Sequence, residues 1–242
     1  VFLLEDITIL SKPPSGRGIK GIVGFPGSGL VGSISVQYLV DNAGFNYIGS
    51  ITSKYFPPIT MMIEGVINAP VRIYEKENII AFVADIPIHP SICYEISHSI
   101  IEWLMEYDLK EIVVIAGLIT NTPEKRVFGV GTETEALDII RDKAEILPMG
   151  SISGIPGSIL TECKIRNIPA VGLLGETVNT PDPRSSVSVL SVMNDLYGFD
   201  VDVNPLMEQA EEIEASMQKM AEQVRDTEDT RTPKKEHLPM YG

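Results

Sequence analysis

A buried strand that breaks at a glycine-rich turn and reopens as a helix constrains this chain more than any other segment. Ile19-Lys20-Gly21-Ile22-Val23-Gly24-Phe25 is a short, mostly apolar run, and Pro26-Gly27-Ser28-Gly29 stops it. Leu30 to Val40 then reads as a helix rich in small residues. Such a strand, turn and helix belong to an α/β sheet. Further strands are expected near the N-terminus and at Phe45–Ile51, Thr60–Ile67, Val71–Tyr74, Ile79–Ala84, Ile112–Ala116 and Ala170–Leu174. The stretch from 60 to 84 reads as a meander grafted into that sheet, with Asn68-Ala69-Pro70 and Lys76-Glu77-Asn78 as its turns.

Helices are expected between the strands. One follows Pro90, with Ile96, Ile100, Trp103 and Tyr107 at helical spacing. Thr132-Glu133-Thr134-Glu135 reads as a capping box opening a helix to about Lys143. A second glycine-rich turn, Gly154-Ile155-Pro156-Gly157-Ser158, precedes a helix to Arg166. Asp182-Pro183 starts a helix that stops near Gly198. Asn204-Pro205 opens the last one, in which Leu206, Ala210, Ile213, Met217, Met220 and Val224 form a heptad seam. That seam either lies on its own domain or mediates self-association. The chain thus divides into an α/β domain (1–203), an amphipathic helix (204–225) and a flexible tail (226–242). Asp226 to Glu236 is charged and threonine-rich, without apolar side chains to bury, so it is expected to be disordered when free. Fully extended, the tail reaches about 50 Å.

Length and composition limit the partners. The chain has 242 residues, 44% of them hydrophobic, enough for one large α/β domain. A net charge of −14 argues against nucleic-acid backbones and anionic membrane surfaces, since both need basic patches. No apolar run reaches the roughly 18 residues of a membrane helix. The two cysteines, Cys93 and Cys163, suggest no disulfide framework, so a reducing cytoplasm is the expected location.

Catalytic signals are sparse. Gly27-Ser28-Gly29-Leu30-Val31-Gly32 matches G-x-G-x-x-G, in which glycines admit a pyrophosphate to a helix N-terminus. The supporting acid should lie about 20 residues later. That region reads Gly49-Ser50-Ile51-Thr52-Ser53, without a carboxylate, and no Gly-Lys-Ser/Thr completes a Walker loop. A tight turn with close helix–strand packing is the competing reading of the same glycines. Pro26-Gly27-Ser28 is echoed by Pro156-Gly157-Ser158, and two such turns can face one crevice at the strand ends. Gly27, Gly29, Gly154 and Gly157 would line it, with Ser28 or Ser158 touching a phosphate or carboxylate of a phosphorylase-like or nucleotide-binding enzyme. Neither serine has the G-x-S-x-G pattern of a nucleophile elbow. His89, Cys93, Glu95 and His98 cluster in sequence but match no zinc spacing. No cofactor and no metal are expected.

The C-terminus carries a different signal. Met240-Tyr241-Gly242 places an apolar residue and a tyrosine ahead of the terminal carboxylate. The ring is rigid and apolar with a polar tip, and a carboxylate can be caught by a basic group or backbone amides.

The run Gly24-Phe25-Pro26-Gly27-Ser28-Gly29-Leu30-Val31-Gly32 resembles the N-terminal signature of the PAC2 (proteasome assembly chaperone 2) family. Tyr55-Phe56-Pro57-Pro58, Glu102-Trp103-Leu104, Ile115-Ala116-Gly117-Leu118, Gly154-Ile155-Pro156-Gly157, Glu176-Thr177 and Pro181-Asp182-Pro183-Arg184 follow in the family's order. The resemblance implies a nucleoside-phosphorylase-like fold with a mixed β-sheet between helices. It implies a homo-oligomeric, non-enzymatic proteasome assembly chaperone of the archaeal kind, binding proteasome α-subunits or the α-ring. Such proteins can carry a C-terminal hydrophobic-Tyr-X motif whose tail enters a pocket between α-subunits. The tyrosine packs there and the terminal carboxylate pairs with a pocket lysine. Here those roles fall to Tyr241 and Gly242, with Met240 as the apolar neighbour.

Overall fold

The computed structural model describes residues 6–120, 122 and 124–211. Among these residues nine strands form one mixed sheet, in the order β1 (Ile7–Ser11), β3 (Asn46–Ser53), β6 (Val71–Lys76), β7 (Ile79–Ala84), β2 (Lys20–Gly24), β8 (Glu111–Ile119), β11 (Ala170–Thr177), β9 (Val127–Gly131) and β10 (Glu145–Ile146). The four central strands β7, β2, β8 and β11 run parallel. They are largely apolar runs, as strands covered on both faces are. β6, β3 and β1 continue antiparallel from one side, and β9 pairs antiparallel with β11 on the other.

Alternation along the strands divides the core in two. Val23, Phe82 and Val114 point to the face covered by α2 (Cys93–Met105) and α4 (Gly154–Arg166). Ile22, Ala81, Val83 and Val113 point to the other, covered by α1 (Val31–Asn42) and α5 (Pro183–Tyr197). A short helix α3 (Thr134–Ile140) packs beside β9. A helix over 204–211, α6, closes the second face, with Leu206 and Ala210 buried. The first two positions of the heptad seam therefore lie on the chain's own domain. Ile213, Met217, Met220 and Val224 fall outside the described residues, as does the tail. Among the described residues no helix is long and apolar enough to cross a membrane.

Local chemistry explains where expectation and structure meet. Asp182 caps α5 by accepting the Ser185 N–H, Pro183 opens the first turn, and Gly198 ends the helix in the left-handed conformation. Tyr107 lies past the end of α2 but still packs edge-on against Trp103.

Four expectations are corrected. Thr60–Ile67 is not one strand. It is a separate hairpin, β4 (Met61–Ile63) and β5 (Val66–Asn68), turning at Glu64-Gly65, where both residues have positive φ. That is the backbone of a two-residue hairpin turn, reached here without the usual Asn or Asp. Thr132 is not a helix cap. Its hydroxyl bonds the Ala170 N–H, so Glu133 precedes α3 without a side-chain cap, and the helix ends at Ile140 rather than Lys143. Gly154 to Ser158 does not precede a helix but forms the first turns of α4. Strands β9 and β10 have no counterpart in the sequence expectations, because Val127–Gly131 lacks a long apolar run.

Candidate functional site

A crevice of about 500 Å³ opens at the C-terminal ends of β2 and β8. One wall is the first glycine-rich turn, Pro26, Gly27 and Ser28. The floor is Ala116 to Ile119 of β8, and the other wall is Ser151 to Pro156, leading into α4. Gly27, Ser28 and Gly154 thus come together in one concavity. Gly29, Gly157 and Ser158 are not among its lining residues.

Packing accounts for the glycines that turn away. Gly29 has φ 62° and is buried against Thr177, whose hydroxyl a β-carbon would overlap. Gly32 sits in α1 where the helix crosses the Ile115 and Phe25 carbonyls too closely for a side chain. Gly157 lies against the Ile152 carbonyl and lines a second groove, which shares Ile152 with the crevice. These positions serve the close helix–strand approach.

The described lining of the crevice is apolar wall plus the hydroxyls of Ser28, Ser151 and Ser153. Among the described residues that line it none is titratable, so none of them can take a proton from Ser28. Such a surface can bind an apolar group or an extended segment. It brings no acid–base pair to bear on one.

Behind the crevice two buried carboxylates organise the strand ends. Glu176, fully buried near the end of β11, accepts from Arg126 Nε at 3.0 Å, Arg126 Nη2 at 2.9 Å, the Arg126 N–H at 3.1 Å and Thr122 Oγ1 at 3.0 Å. The Arg126 guanidinium, aided by these other donors, holds its pKa down at about 2. Asp182 accepts from Lys125 Nζ at 2.6 Å, Thr177 Oγ1 at 2.9 Å and the Ser185 N–H at 3.1 Å. Burial alone would raise its pKa, but Lys125 and the two other donors outweigh it and leave the carboxyl below its usual range. The Asp182 N–H donates to the Gly29 carbonyl at 2.9 Å. One network therefore ties the first glycine turn, the end of β11 and the start of α5 to Thr122, Lys125 and Arg126.

Sequence reasoning missed Lys125 and Arg126 and saw Asp182 as a helix cap. A usable signal was present: Glu176 ends an apolar strand with no neighbouring cation, and a buried carboxylate requires a partner.

The His89–His98 segment does not converge. The His89 ring caps its own turn through Ser91. Cys93 points its thiol at the His89 carbonyl, and burial pushes its pKa up. His98 stacks on Tyr94, and its Nδ1 accepts from Arg166 Nη2 at 3.0 Å. Among the described residues no three His, Cys, Asp or Glu side chains are grouped to hold a metal. Met240, Tyr241 and Gly242 lie outside the described residues.

Comparison with known proteins shows consistent relatives. Residues 21–221 match the PAC2 family. An uncharacterized protein of Methanocaldococcus jannaschii is 32% identical over 203 residues, covering 84% of this chain and 85% of its own. Among solved structures, Pyrococcus furiosus PbaA, described as an archaeal homolog of proteasome-assembly chaperone, superimposes with a TM-score of 0.84 at 31% identity. It covers 93% of this chain and 96% of its own. Pyrococcus furiosus PbaB, described as an archaeal proteasome activator, shares the fold with a TM-score of 0.80 at 22% identity, over 90% of this chain and 100% of its own.

Proposed function

The chain belongs to the PAC2 family, and from that membership we propose that it is a proteasome assembly chaperone or adaptor that binds 20S proteasome α-subunits or the α-ring. The likeness to PbaA over nearly the whole chain carries this reading. The crevice is consistent with it, since its largely apolar walls offer binding surface.

Met240-Tyr241-Gly242 forms the docking plug in this proposal. The tyrosine buries its ring between neighbouring α-subunits, with Met240 as its apolar neighbour. One three-residue plug binds weakly. A homo-oligomer presents several, and linked copies raise avidity by about 10²–10⁴. The body then supplies oligomerisation and places the tails. The −14 charge suits a cationic rim on the partner.

A pull-down of purified α-rings, with the full chain and with a chain ending at Pro239, tests the proposal. Binding by the full chain alone supports tail docking. Equal binding by both moves recognition to the globular body. Binding by neither refutes the proteasome reading.

A further inference from the structure

The β4–β5 hairpin leaves an unusual amount of apolar surface uncovered: Met61 is 42% exposed, Met62 62%, Val66 65% and Ile67 62%. Among the described residues it pairs with no strand of the main sheet. A two-stranded hairpin is marginal on its own, so its apolar face calls for a cover. Its register sets which side chains share a side. Met61 is opposite Asn68 and the Ile63 position opposite Val66, so Met61 and Val66 face one way, and Met62 and Ile67 the other.

The Met61 side faces the last described helix. Met61 lines one groove with Leu30, Ile34, Leu206 and Gln209. Near its start α6 is anchored low on α1, where Tyr38 Oη donates to the Asp202 carbonyl at 2.8 Å. Its last described residue reaches the opening turn of α5, where Glu211 lies 3.9 Å from Arg184. Both α1 and α5 begin at the C-terminal ends of the parallel strands, so α6 climbs toward that edge. The hairpin stands there too, since β5 leads directly into β6 and β6 begins beside the end of β7.

We propose that the segment Ile213–Val224 of the same chain continues α6 and lays Ile213, Met217 and Met220 against the Met61–Val66 side of the hairpin. The seam that buries Leu206 and Ala210 repeats at 213, 217 and 220 in the sequence. The spacings agree. Four helical residues beyond Gln209 advance about 6 Å. Two strand positions from Met61 to the level of Val66 advance about 7 Å. The docking does not depend on the proteasome reading. It places the root of the tail at the strand ends, beside the crevice, and leaves the Met62–Ile67 side open.

Paired cysteines in the full chain test this. Val66→Cys is combined with Ile213→Cys on the seam or with Ala215→Cys off it, and each is treated with a short bis-maleimide. Cys93 and Cys163 are buried and their thiol pKa values are pushed up, so they are poor competitors. The expected result is an intramolecular cross-link at least tenfold greater in yield for Ile213→Cys than for Ala215→Cys, unchanged on tenfold dilution. Equal yields at the two positions, or no cross-link at either, would overturn the proposal. Covalent dimers would overturn it as well, by assigning the face to a second copy. An independent check uses the full chain carrying Ile213→Asp and Met217→Asp, whose hairpin amides should exchange with deuterium at least tenfold faster. Unchanged exchange would count against the docking.

Discussion

Replacing Arg72 tests how the hairpin and α1 are held to the sheet. Arg72 is buried at the start of β6, and each of its donors is used. Nε donates to the Tyr74 hydroxyl at 3.1 Å, Nη1 to the Ala69 carbonyl at 2.8 Å and to Asp85, and Nη2 to Asp85 Oδ1 at 2.9 Å and Gln37 Oε1 at 2.7 Å. One guanidinium thus joins β6 and the end of β7 to the middle of α1 and the base of the hairpin. Arg72→Met keeps the volume and removes the charge, leaving the Asp85 carboxylate without its cation and three further acceptors unbonded. Breaking a buried pair in this way costs about 3–5 kcal/mol. For a chain of this size that lowers Tm by on the order of 10 °C. Urea denaturation followed by circular dichroism, with the m-value compared, is the assay. Adding Asp85→Leu should recover at least half of the loss, since an apolar pair replaces a half-buried charge left without its cation. A loss below about 1 kcal/mol for Arg72→Met, or no recovery in the double variant, would refute the account of this cluster.

Three further outcomes are expected. Glu176 has its folded pKa lowered to about 2 from 4.5, so its contribution is present above pH 4.5 and is lost as pH falls from there toward 2. Glu176→Gln should flatten the fall in stability across that window, and an unchanged slope in urea titrations would contradict the assignment. Gly29→Ala must adopt φ 62° and overlap Thr177, at a cost of about 2 kcal/mol or more measured by urea unfolding, whereas wild-type stability would argue against the close packing. Inorganic phosphate, nucleosides and nucleotides should leave Tm within about 1 °C, and a concentration-dependent rise would bring the crevice back as an enzyme site.

Much of the frame was readable because it rests on local chemistry. The strand–turn–helix around Pro26–Gly29 and the helix from Asp182-Pro183 to Gly198 announce themselves through turn and cap residues whose preferences are intrinsic to the backbone. Most of what failed depended on residues distant in the chain. The Thr132 hydroxyl goes to Ala170 on β11, so the capping pattern around it was coincidental. Glu64 takes a left-handed turn conformation that its residue type does not advertise. The glycines of the first turn divide into one facing the crevice, Gly27, and one pressed on Thr177, Gly29, a distinction that only β11 creates. Lys125 and Arg126 serve carboxylates 57 and 50 residues away, beyond any spacing rule.

The most direct test of the central claim is the affinity of immobilised 20S α-rings for the full chain and for its Tyr241→Ala variant, with circular dichroism confirming an unchanged body. Tail docking predicts binding at least tenfold weaker for the variant. Equal affinity for the two chains would contradict it.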